Sequence, residues 1–354
     1  MSKYLNDKYR SLEVYTPGEQ PQDMVYTKLN TNESPFPAAP QVVDAIDRRQ
    51  VEDLRLYSDP ECKPLIRKLA DTYGVLPENV FVANGSDDIL NFAFALFSGE
   101  PGKVVFPDIT YGFYQVFADL YQINAEKIPL LEDFSIDYRQ YLNKNKMIVI
   151  ANPNAQVGQT LPLWQIEQIV SSNPDHVVLI DEAYVDFGAE SAVALVGKYD
   201  NLLVVQTFSK SRSLAGARLG FAIGSGGLIE DLNRLKYATN PYNVNRLTMA
   251  AGVAALEAQA YYHENCLKIQ QNRTFAEQEL QKLGFHVVPS KANFIFAMHP
   301  EYDGEQLYKD LKKRGILVRH FSSHRICQYN RITIGSREQM ELLIKTISDI
   351  LGGN

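Results

Sequence analysis

Short, continuous apolar runs alternate with longer mixed stretches along this chain. The runs are Val80-Phe81-Val82, Lys103-Val104-Val105-Phe106, Met147-Ile148-Val149-Ile150, Val177-Val178-Leu179-Ile180, Leu202-Leu203-Val204-Val205 and Leu219 to Ile223. A strand that is apolar at every position has both faces covered, so such strands with helical segments between them predict a mostly parallel sheet flanked by helices. Residues 86–97 read as the helix after the first run, and residues 246–283 as one long helix closed by Gly284. Beyond it Phe285-His286-Val287-Val288, Phe294-Ile295-Phe296-Ala297 and Arg331-Ile332-Thr333-Ile334 predict strands of a smaller α+β domain, with helices near 304–314 and 337–351. The expected class is α/β, with a large domain over residues 31–245 and a smaller one over 246–354.

A length of 354 residues exceeds the usual single-domain size, in keeping with that division. The chain carries 35 Lys plus Arg against 42 Asp plus Glu, a formal charge of −7, which argues against nucleic acid as a partner. The first residues lack the apolar core of a secretion signal, and the longest apolar stretch, 89–97, contains Asn91 and is too short to span a membrane. A cytoplasmic location is expected. Cys62, Cys266 and Cys327 are odd in number and far apart, as free thiols would be. His320 and His324 have a helical spacing, but Phe321-Ser322-Ser323 between them reads as loop and no metal is expected.

Candidate chemistry gathers where the strands end. Lys210 follows the run 202–205 within Phe208-Ser209-Lys210-Ser211, and Schiff-base chemistry needs a lysine that is desolvated and close to fixed charges. Ser209 and Arg218 offer a hydroxyl and a permanent cation suited to a phosphate. Taken alone, a lysine in a Ser-rich loop is more often a solvated surface charge. Upstream, the run 177–180 empties into Asp181-Glu182-Ala183-Tyr184, at the strand end where α/β sheets bind ligands. A strand-end turn with a helix cap is the commoner fate of such an acidic pair, yet carboxylate, phenol, amine and guanidinium together suit one cofactor. Asp181 can pair with a protonated pyridine nitrogen, Tyr184 can bond a phenolic oxygen, Lys210 can bond covalently and Arg218 can hold the phosphate. The helix start at Gly85-Ser86-Asp87 suits an anion through its free N–H groups and Ser86. Phe221-Ala222-Ile223-Gly224-Ser225-Gly226-Gly227 imitates a dinucleotide-binding turn, but the third glycine position is Ile229 and no acid-ended strand follows; a plain strand-to-helix turn is favoured.

These residues resemble the pyridoxal-phosphate aminotransferases of the aspartate-aminotransferase fold, and within them the histidinol-phosphate aminotransferases. The resemblance runs over nearly the whole chain, through the segment 12–18, Asn30-Thr31-Asn32-Glu33-Ser34-Pro35, Tyr57-Ser58-Asp59-Pro60, Asn84-Gly85-Ser86-Asp87, Tyr111-Gly112-Phe113-Tyr114, Asn152-Pro153-Asn154 and the Lys210 and Arg331 segments. It implies fold type I of the pyridoxal-phosphate transferases, with a seven-stranded type of sheet, and an arm over residues 1–30 packing on the small domain and a dimer partner. It implies pyridoxal 5'-phosphate held by Ser86, Asp87, Tyr111, Asn154, Asp181, Tyr184, Ser209, Lys210 and Arg218, with Tyr57 donated by the neighbouring subunit of a homodimer. Lys210, Asp181 and Tyr184 take the catalytic roles. Tyr15, Arg319 and Arg331 are the implied substrate contacts, for histidinol phosphate in one half-reaction and glutamate or 2-oxoglutarate in the other.

One turn departs from the family. It usually reads Asn-Pro-Asn-Asn-Pro-Thr-Gly, and the second asparagine of the doublet, which holds the cofactor's phenolic oxygen, is Ala155 here. Tyr184 then holds that oxygen alone, or Asn154 shifts to help. Two other activities share the constellation: transfer from aromatic amino acids, and decarboxylation of threonine phosphate.

Overall fold

The computed structural model describes residues 2–353 apart from 11, 13 and 14, so Glu13 and Val14 of the first matching segment lie outside the described residues. Its strands are β1 (Thr27–Lys28), β2 (Val80–Ala83), β3 (Lys103–Pro107), β4 (Asn124–Ile128), β5 (Met147–Ala151), β6 (Val178–Asp181), β7 (Leu202–Thr207) and β8 (Gly220–Gly224), then β9 (His286–Val288), β10 (Phe294–Met298), β11 (Ile316–Leu317), β12 (Arg319–His320) and β13 (Asn330–Thr333).

Seven of them form one sheet in the order β2-β8-β7-β6-β5-β3-β4, parallel except for β8, which runs antiparallel to both neighbours. Every residue of β2, β5, β6, β7 and β8 is buried, as continuous apolar runs require when helices cover both faces. The six apolar runs of the sequence each form a strand of this sheet. The seventh, β4, reads Asn-Ala-Glu-Lys-Ile and is mostly uncovered at the sheet edge, so it lacks the apolar signature. A four-stranded antiparallel sheet, β12-β13-β10-β9, builds the smaller unit. The N-terminal segment joins it through β1, which pairs parallel with β11.

The single helix expected over 246–283 is two, Arg246–Glu257 and Gln259–Lys282, with Ala258 between them at φ −92° and ψ 30°. The break follows a change of packing partner. The first helix buries Ala251, Ala254 and Ala255 in a cluster with Leu65 and Val204 of the large unit, and a Cβ on its Gly252 would stand 2.5 Å from Leu219. The second carries Ile269, Ala276 and Leu280 into the other main cluster, with Phe294, Ile332 and Ile347. The turn at Gly224 to Gly227 is a plain one, with the helix Gly226–Thr239 starting directly after β8. No helix among the described residues is long and apolar enough to cross a membrane.

Candidate active site

The carboxyl ends of β2, β6 and β7 converge on one cavity of about 340 Å³. β7 delivers Thr207, Ser209 and Lys210, β6 delivers Asp181 and Tyr184, and the helix Ser86–Phe97 after β2 presents its amino terminus with Ser86 and Asp87. Arg218 and Tyr111 complete the lining. A second cavity of about 320 Å³ is lined by Tyr15, Arg319 and Arg331 together with Phe321. Lys210, Tyr184, Tyr111, Ala155 and Thr31 line both, so two chambers with cationic groups meet at one amine.

Lys210 is half-buried, and its Nζ donates to the Thr31 carbonyl at 3.2 Å. Burial, with the Arg331 guanidinium adding to it, pushes the amine down to about 8. Roughly a tenth of it is then neutral at pH 7, which a surface lysine is not. Asp181 is 4% exposed. It accepts from Tyr114 Oη at 2.7 Å and from the Ala183 N–H at 3.2 Å, both neutral donors. Burial outweighs those bonds and pushes its carboxyl up to about 6. Tyr184 is buried, edge-on to Phe294 at 5.1 Å, and its oxygen accepts from Asn32 Nδ2 at 3.0 Å.

The phosphate end rests on close backbone approach. Gly85 precedes the helix at φ 87°, and a Cβ there would stand 2.9 Å from Arg218 Nη2. On Gly220, in β8, a Cβ would come within 2.4 Å of the Ser86 nitrogen, so only glycine lets the strand pass behind the helix terminus. Asp87 is compensated: it accepts from Tyr111 Oη at 2.8 Å and pairs with Arg218 at 3.1 Å. In the second chamber Arg319 donates to the carbonyls of Thr16 and Pro17 at 3.1 and 3.2 Å. Arg331 reaches the carbonyls of Ala155 at 2.9 Å and Asn30 at 3.4 Å, and its Nε is buried without a partner. Tyr15 stacks on Phe113 at 4.4 Å.

Two expected site residues stand apart. Asn154 lines neither chamber. Its Nδ2 donates to the Ile109 carbonyl at 2.9 Å and its Oδ1 accepts the N–H groups of Gln156 and Val157 at 2.9 and 3.2 Å, so the local turn takes the amide oxygen and the distant Ile109 carbonyl holds the amide nitrogen. Ala155 takes the cavity-facing place. Tyr57 is 80% exposed, stacked on Tyr242 at 4.6 Å, and lines neither chamber of its own chain. Tyr114, Thr207 and Asn32 carry contacts that the sequence reading did not assign. Tyr114 falls in the first turn of the helix Phe113–Leu120, and Tyr111 lies just before that helix. His320 Nε2 lies 2.8 Å from the Cys327 carbonyl, and no group of three or more His, Cys, Asp or Glu residues suited to a metal occurs among the described residues.

Residues 25–347 match the family model for aminotransferase class I and II, and the chain belongs to that family. It is similar, at 49% identity over 99% of both chains, to the histidinol-phosphate aminotransferase of Brachyspira hyodysenteriae. Among solved structures it is similar to the histidinol-phosphate aminotransferase of Sinorhizobium meliloti in complex with pyridoxal-5'-phosphate, with a TM-score of 0.87, 24% identity and 99% of each chain covered. It is also similar to the L-threonine-O-3-phosphate decarboxylase of Porphyromonas gingivalis, with a TM-score of 0.80, 23% identity, and 93% of this chain and 100% of that one covered. These likenesses show the fold, the type I fold of pyridoxal-phosphate enzymes.

The donor set fits that cofactor. A glycine-lined helix terminus with Ser86 and Arg218 suits a phosphate, a buried carboxylate without a cationic partner suits a protonated ring nitrogen, and a desolvated amine suits an aldehyde. The carboxylate also carries a pH signature. A carboxyl held at about 6, against an ordinary 3.8, keeps its proton more tightly in the folded state. Its contribution to the stability of the cofactor-free protein therefore falls as pH rises from about 4 to about 6, by about 3 kcal/mol in all. Asp181→Asn keeps an acceptor for Tyr114 and removes this loss, so the variant should melt progressively above the parent across that window. Melting curves that stay parallel from about pH 4 to about pH 7 would contradict the burial argument.

Proposed function

We propose that this chain is a pyridoxal-phosphate-dependent aminotransferase that converts histidinol phosphate and 2-oxoglutarate to imidazole-acetol phosphate and glutamate, a step of histidine biosynthesis. The observation that carries the reading is the pair of cationic chambers meeting at Lys210, one for the cofactor's phosphate and one for a substrate anion. The 49% identity to a histidinol-phosphate aminotransferase along the full length supports it.

Ser86, Ser209, Arg218 and the helix N–H groups would hold the phosphate, and Asp181 would keep the ring nitrogen protonated. When bound, the cofactor supplies a ring that accepts electrons from the substrate's α-carbon. Lys210, poised near neutral pH, takes the proton from that carbon and returns one to complete the transfer. Arg331, through its unpartnered Nε, and Arg319 orient the carboxylate of glutamate or the phosphate of histidinol phosphate, and Tyr15 closes that chamber. Tyr57, exposed in its own chain, would complete the neighbouring site in a homodimer; sedimentation of a fully active monomer would remove it from the site. Free thiols and a biosynthetic role fit the cytoplasm.

The test is a spectral screen of purified protein loaded with pyridoxal phosphate. Histidinol phosphate should discharge the bound cofactor's absorbance, and glutamate should do the same. A response to threonine phosphate with carbon dioxide release, or a preference for aromatic amino acids, would refute the assignment.

A further inference from the structure

Tyr184 is held from behind by a chain of hydrogen bonds that reaches the small unit. Asn32 Nδ2 donates to the Tyr184 oxygen at 3.0 Å. Asn32 Oδ1 accepts from Thr333 Oγ1 at 3.0 Å, and the Asn32 N–H donates to that same hydroxyl at 2.9 Å. Both residues are buried. Asn293 Nδ2 fixes the Asn32 carbonyl at 3.0 Å, and the Asn32 backbone stands at φ 56°, a left-handed conformation that asparagine tolerates better than most side chains.

Proton accounting gives this chain a direction. The Thr333 hydroxyl accepts the Asn32 N–H and gives its one proton to Asn32 Oδ1, which leaves the amide's NH2 end facing Tyr184. A phenol oxygen that accepts from an amide sends its own proton elsewhere. The open direction is the cavity that Tyr184 lines beside Lys210. Ala155 stands on that wall, and Asn154 lines neither chamber, its Nδ2 held by the Ile109 carbonyl, so neither of these two residues is placed as a second donor.

We infer that Asn32, oriented by Thr333, is a positioning residue that turns the Tyr184 proton into the cavity, toward the ring oxygen of the cofactor. This rests on the proposed cofactor. Arg331 lies two residues before Thr333 in β13, so the strand that grips the substrate anion also sets this donor.

The test is a spectral pH titration of the bound cofactor in parent and variants. A hydrogen bond to the anionic ring oxygen favours loss of the neighbouring nitrogen's proton, so weakening that bond raises the titration midpoint. Asn32→Gly removes the amide while suiting the left-handed backbone, and should raise the midpoint by about one pH unit. Asn32→Asp should raise it further, because a carboxylate accepts the Tyr184 proton and draws it away from the ring. Thr333→Val should shift it in the same direction, and Thr333→Ser should restore the parent value. The charges facing Tyr184 are Lys210, Arg331, Asp181 and Asp87; Asn32→Gly and the Thr333 variants leave them unaltered, and Asn32→Asp adds one carboxylate to them. A parent that takes up no cofactor overturns the functional reading and this inference with it. Normal uptake with an unmoved midpoint in Asn32→Gly and Thr333→Val overturns the inference alone.

Discussion

Replacing Lys210 with alanine is expected to lower amino transfer by about 10⁴-fold or more while the protein stays folded. The size follows from losing the covalent amine and the α-carbon base together. The fold survives because Lys210 Nζ makes one hydrogen bond, to the Thr31 carbonyl, and its removal relieves the positive charge it shares with Arg331. Borohydride reduction of the loaded parent, followed by peptide mapping, should label Lys210, and the variant should take no label. Label on another lysine of the parent would displace Lys210 from its role.

Much of this site is legible in the sequence because strand ends and polar residues coincide along the chain. Asp181 and Lys210 each follow a continuous apolar run, and burial of that run fixes where the next residues emerge. What the sequence hides depends on relations across the chain. Asn32 meets Thr333 from 301 residues away, and no local pattern announces that pairing. Gly220 looks like an ordinary strand residue until its distance to Ser86 is measured. Asn154 resembles a cofactor ligand by motif, but an asparagine followed by free N–H groups two and three residues on closes its own turn. β4 escaped because an edge strand has no need of an apolar run.

Arg331→Ala should raise KM for both glutamate and histidinol phosphate by roughly ten- to a hundred-fold, as loss of a charge-assisted partner worth about 1.5 to 3 kcal/mol implies. The cofactor should still be taken up, since Arg331 lines the second chamber and not the first, with the titration of its spectrum moved upward by loss of the positive charge beside Lys210. Its guanidinium also stands 5.2 Å from the Phe294 ring and 5.5 Å from that of Phe321. Arg331→Lys should therefore recover only part of the affinity, because an ammonium restores the charge without the flat face or the fork of donors. Steady-state kinetics of both variants with both substrates measures this, and parent-like constants in Arg331→Ala would remove it from the substrate chamber.

The chamber gathered by Arg319, Arg331 and Lys210 has a practical consequence at the bench. Two guanidinium groups and an amine attract any small oxyanion, so sulfate and inorganic phosphate are rival ligands and not inert salts. Substrate affinities measured in phosphate buffer will look weaker than those measured in an amine buffer of equal ionic strength. The choice of buffer is therefore an experimental variable in its own right.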